Sequence, residues 1–127
     1  MELETSMEKD MLYGLFKGQF TLEESKRTFL QLIDEVKTSR AVKVLIDGRK
    51  VTGQPTTMER FYYGEFCAKE VSKLASLESL TPTFAFTLIE PLLDPGRFGE
   101  NVAVNRGMKV KMFDNINDAR SWLEQMK

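Results

Sequence analysis

Two short runs constrain this chain more than anything else in it. AVKVLID (Ala41 to Asp47) and TFAFTLIE (Thr83 to Glu90) are nearly all apolar and rich in β-branched or aromatic side chains. Neither shows the apolar/polar alternation of a strand with one wet face, so each reads as a strand covered on both sides, as in a parallel sheet. Such strands need helical crossovers, and helical patterns stand on either side of each run.

The first helix is predicted over Leu22 to Thr38. Thr21-Leu22-Glu23-Glu24 has the pattern of a capping box, and Leu22, Phe29, Leu32, Ile33 and Val36 recur at helical spacing, with Lys26, Arg27 and Glu35 on the wet side. Gly48 is expected to end the first buried strand. After the Gly53-Gln54-Pro55 loop, Thr56-Thr57-Met58-Glu59 forms a second capping box, which opens a helix carrying Met58, Phe61, Tyr62, Phe66, Val71 and Leu74 to about Ser76. At the start of the chain, Leu3, Thr5 and Met7 alternate with Glu2, Glu4 and Ser6. Glu8-Lys9-Asp10 is a polar turn, and Met11, Tyr13 and Leu15 then share a face up to Gly18, which is an antiparallel hairpin. Beyond the Asp94-Pro95-Gly96 turn, GENVAVNRG is a short helix closed by Gly107. MKVKMF (Met108 to Phe113) alternates as an outer strand. A last helix, capped by Asp114 or Asn117, holds Ile116, Ala119, Trp122, Leu123 and Met126. The order is ββαβαβαβα over residues 1–127: a single-domain α/β fold with a mixed sheet.

Composition removes several functions. The chain has no histidine, which excludes Ser-His-Asp, Cys-His and His-metal chemistry together. Its single cysteine, Cys67, allows no intrachain disulfide, and no cofactor motif, soft-metal cluster, paired-carboxylate site or Gly-rich phosphate loop is visible. Eighteen basic against 19 acidic residues, without a basic cluster, argue against nucleic acid. No basic-then-apolar leader and no membrane-spanning run is present, so a reduced cytoplasmic setting is expected.

Three stretches carry a family resemblance: GQFTLEE into the first helix, VKVLIDGRKVTG around the first buried strand, and the closing NRGMKVKMFDNINDARSWL. Their order and spacing resemble the sulfate-transporter/anti-sigma-factor-antagonist (STAS) domain and its sporulation-antagonist-like relatives of unknown function, over essentially the whole chain. The resemblance implies a STAS-like fold, a non-enzymatic role and a protein partner such as a kinase or regulator. It also implies a phosphorylatable hydroxyl at the start of the second helix, a position matched here by Thr56 and Thr57. They follow Gln54-Pro55 where the family has an acidic lead-in.

Other residues invite two readings. Asp47, at a strand end, either accepts loop amides, or binds a cation or pairs with Arg49 or Arg106 at a small anionic-ligand site. Phe61, Tyr62, Tyr63 and Phe66, beside Arg60, cannot all face one core, so Tyr62 or Tyr63 is left for an interface, a homodimer among them, or for a pocket. EPLLDPGRFG (Glu90 to Gly99) either folds back as a core lid, able to close over a small hydrophobic ligand with the aromatic helix, or forms a recognition patch. Arg106 is placed to benefit from a helix C-terminus. Cys67, among aromatics, reads as a buried thiol.

Overall fold

The computed structural model describes residues 1–126. Its elements run β1 (Glu2–Glu8), β2 (Met11–Gln19), α1 (Leu22–Ser39), β3 (Lys43–Thr52), α2 (Thr57–Glu78), β4 (Thr83–Thr87), α3 (Phe98–Asn105), β5 (Val110–Phe113) and α4 (Ile116–Glu124). The five strands lie in chain order, β1 antiparallel to β2 and all later pairs parallel. Each crossover steps to the next strand in the same direction, which puts the connecting helices on one face of the sheet.

On that face Leu12, Phe16, Val44, Ile46, Phe84 and Phe86 pack against Phe29, Leu32 and Val36 of α1, Cys67, Ala68, Val71 and Leu74 of α2, and Ala103 of α3. The opposite face is covered by α4 alone, through Ala119 and Leu123 on Met11, Leu45 and Ala85. Met11 and Tyr13 do share a face, and it is this thinner one. Beside it, β1 presents exposed Glu2 and Glu4, with Lys17 held 2.6 Å from Glu4, a charged guard on an edge strand.

Several boundaries differ from the sequence expectation, each for a reason of pairing. β3 passes through Gly48 to Thr52, and β2 through Gly18 to Gln19, because the two re-pair beyond a bulge, Lys17 to Gln19 against Lys50 to Thr52. β4 stops at Thr87 and not Glu90, since its neighbour β5 ends at the paired Phe113. β5 itself starts at Val110. The last helix is capped by Asn115, whose side chain accepts from the amides of Asn117 and Asp118, and not by Asp114 or Asn117. The box expected at Thr21 is half formed. Thr21 accepts from the Glu24 amide at 3.2 Å, but the Glu24 carboxylate accepts instead from the Met1 amine at 2.8 Å. Gly107 does adopt a left-handed φ of 92° just past α3.

Candidate functional site

The start of α2 is fixed by its own sequence. Thr56 is the N-cap: its Oγ1 accepts from the Glu59 amide at 3.1 Å, and the Glu59 carboxylate accepts from the Thr56 amide at 2.8 Å. Thr56 and Thr57 are both exposed, above the buried Pro55. A phosphate on Thr56 would gain from the helix dipole, but it would also meet the Glu59 carboxylate at the closed box. Thr57 takes no part in that box.

Two turns further on, the aromatic run divides. The inward stripe of α2 is Gly64, Cys67, Ala68, Val71 and Leu74, so Met58 and Tyr62 are turned outward instead of joining the core, 55% and 44% exposed. The stripe opens on a glycine because α3 crosses there. A Cβ on Gly64 would lie 2.6 Å from the Gly99 carbonyl oxygen. Tyr63 turns inward, its ring edge-on to Phe20 and Phe29 at 6.3 Å from each. Tyr62 instead meets Phe61 at 5.5 Å, and Phe61 in turn lies 6.4 Å from the half-exposed Phe98 of α3. Arg106 lies over the Phe61 ring at 5.3 Å and reaches Glu65 at 3.3 Å. Phe66 is half-buried under Lys26, with Lys69 and Lys73 along the same shallow groove. Met58, Phe61, Tyr62, Phe98 and Arg106 thus form one surface, an apolar ridge with a charged rim.

Arg60 leaves this surface. Its guanidinium donates to the carbonyls of Leu92 at 2.6 Å and Pro91 at 2.8 Å, pinning the loop between β4 and α3 against α2. Asp94 organises the same loop by accepting from the Gly96 and Phe98 amides, and these bonds hold its carboxyl below the usual range, that from Phe98 foremost. Beneath the loop is a cavity of about 100 Å³ between the sheet, α2 and α3. Tyr63 and Cys67 line it. Burial pushes up the pKa of the Cys67 thiol, and burial together with the neighbouring thiol does the same for the Tyr63 hydroxyl, so neither is a ready nucleophile.

Asp47 belongs to the other face of the sheet. It is 1% exposed and accepts from the Tyr13 hydroxyl at 2.5 Å, the Arg49 amide at 3.1 Å, and the Arg49 Nε and Nη2 at 2.9 and 2.8 Å. Burial alone would raise its pKa, but the bonds from Arg49 and Tyr13 outweigh it and leave the carboxyl below the ordinary value. Asp47 thus accepts a loop amide and pairs with Arg49, and Arg106 lies elsewhere. The same bond has the reverse effect on Tyr13, which burial and the adjacent carboxylate push up to about 12. Thr87, paired with Asp47 across β3 and β4, is buried, and its hydroxyl has no hydrogen-bond partner among the described residues. Tyr13 and Thr87 were not singled out from sequence, because only the parallel register puts them beside Asp47. Asp47 and Arg49, Tyr62 and Arg106, and the Arg60 loop are therefore three separate places.

No family model and no curated protein matches the chain. Solved structures do, and they show the fold: it is similar to that of anti-sigma factor antagonists. An anti-sigma factor antagonist from Mycobacterium paratuberculosis is similar with a TM-score of 0.60 at 13% identity, over 98% of this chain and 94% of that one. A Ser-to-Glu variant of RsbS from Moorella thermoacetica matches at 0.55 and 17% identity, over 99% and 100%. A protein of the DUF3478 family from Shewanella loihica, described as having a SpoIIAA-like fold, matches at 0.50 and 17%, over 96% and 92%. No helix among the described residues is long and apolar enough to cross a membrane.

Proposed function

We propose that this chain is a non-enzymatic regulatory domain that acts by protein–protein contact through the outer face of α2, in the cytoplasm. The observation that carries the reading is the outward placement of Met58 and Tyr62 beside Phe61, Phe98 and Arg106. Exposed aromatics with an adjacent arginine are the composition of interface cores, where ring area is buried at little cost in side-chain entropy. The fold shared with anti-sigma factor antagonists supports the same role. The partner is a second copy of the chain or a separate regulator. The Thr56 hydroxyl caps α2, which supports reading the contact as independent of phosphorylation at that residue.

The test is a double substitution, Met58→Glu with Tyr62→Glu. Both side chains are solvent-facing, so the circular dichroism spectrum and the unfolding midpoint are expected to stay as in the wild type. Sedimentation equilibrium shows whether the wild type self-associates, and quantitative co-purification from the native host shows whether it holds another protein. The double variant is expected to lose whichever association the wild type has. An association that survives both charges places the contact elsewhere.

A further inference from the structure

The space under the β4–α3 loop has the features of a ligand site that the interaction ridge does not use. Its volume is about 100 Å³. Phe16, Ile46 and Phe86 form its floor on the sheet, Cys67 and Ala103 its walls, and Leu92 its roof. Apolar cavities of roughly 150 Å³ stay dry and take up benzene, and this one is somewhat smaller with a roof that is a loop. The charged residues that border it are all engaged. Arg60 donates to the Pro91 and Leu92 carbonyls, Arg97 to the Met112 carbonyl, Asp94 accepts from the Gly96 and Phe98 amides, and Glu100 accepts from the Met112 amide at 2.6 Å. The Met1 amine at its edge is paired with Glu24, so among the described residues no free charge is left to neutralise an ionic ligand, and burying an uncompensated one is costly.

We propose that this cavity binds a small uncharged apolar molecule, a short hydrocarbon chain or a single ring, and that Arg60 is the latch on its lid. The Gly64–Gly99 crossing fixes α3 against α2, since a Cβ at Gly64 would come within 2.6 Å of backbone. The part left to move is therefore the loop ahead of α3, and its hold on α2 is the pair of hydrogen bonds from Arg60. Entry requires that those two bonds open and that Leu92, buried against the core, swing out with the loop, while Arg97 keeps its far end on the Met112 carbonyl. The site is independent of the ridge at Met58 and Tyr62.

Cys67 is the sole cysteine and lines the cavity, so it reports occupancy directly. The rate at which methyl methanethiosulfonate labels it is measured with benzene, hexanol or hexanoate present. Benzene and hexanol are expected to slow labelling several-fold in a saturable way, and hexanoate to have little effect. At ten times its dissociation constant, either neutral probe should also raise the unfolding midpoint by roughly 5 °C. Arg60→Ala is expected to speed labelling several-fold, and Ala103→Leu, by filling the space, to abolish the thermal shift. Labelling of wild-type Cys67 that neither neutral probe slows, or that hexanoate slows as strongly as hexanol, overturns the proposal even if Ala103→Leu does not fold. Neither result bears on the Met58/Tyr62 contact, which is read with a different variant.

Discussion

Asp47 shows how a single buried carboxylate is kept ionised. Four hydrogen bonds converge on it, three from Arg49 and one from Tyr13. Removing one donor is informative, because a hydrogen bond to a charged group contributes more than a neutral one. Tyr13→Phe is expected to destabilise the fold by about 1–2 kcal/mol in urea unfolding at neutral pH. The pH dependence carries the sign of the shifts. Unfolded, Tyr13 loses its proton near 10, whereas folded it keeps it to about 12, so its contribution is full below pH 10 and declines between those values. Asp47 works in reverse. Its folded pKa is depressed, so its contribution is present above the ordinary value of 3.8 and is lost as pH falls through the folded value. In Tyr13→Phe both limbs of the stability–pH curve should flatten; a curve merely displaced downward would mean the pair is not coupled. The neighbouring Thr87 gives the opposite expectation. Its buried hydroxyl has no partner, so Thr87→Val, which keeps the shape, should leave stability unchanged or raise it by up to about 1 kcal/mol.

Among the elements, α2 combines a cap, a core stripe and an exposed aromatic face. Thr56→Ala removes the N-cap acceptor and is expected to cost about 1 kcal/mol, with Thr56→Ser restoring most of it. Thr57→Ala, outside the box, should fall within about 0.5 kcal/mol of the wild type. Equal losses at both positions would show that capping does not set the role of Thr56. This cap was fully legible in sequence, as Thr-Thr-Met-Glu has the spacing that closes a box through side chains alone. The element order and the two-sided burial of β3 and β4 were legible for the same reason, since local periodicity encodes them. What local pattern cannot encode is a partner from elsewhere in the chain. The half-formed box at Thr21 depends on Met1 taking the Glu24 carboxylate. The extension of β3 through Gly48 depends on β2 resuming its pairing after the bulge. Tyr62 and Tyr63 are adjacent in sequence, and the approach of α3 leaves no room for a side chain at Gly64, while Met58 and Tyr62 lie outside the inner stripe.

At the scale of the whole molecule, unequal cover of the sheet organises everything else. Three helices fill one face, one short helix covers part of the other, and the charged β1 edge is left to solvent. The polar Asp47 cluster lies on the thin side, inside β3 and beside the end of β4, and the exposed aromatic ridge lies on the outside of the thick side. Contact through that ridge is the central claim, and site-specific photo-crosslinking tests it most directly. A photoreactive phenylalanine analogue is placed at position 62 in the full chain and, as a control, at position 121 on the exposed side of α4. After irradiation in the native host, adducts of protein mass are counted by denaturing electrophoresis and mass spectrometry. A discrete adduct from position 62 and none from position 121 is the expected result; no adduct from 62, or equal adducts from both, contradicts it.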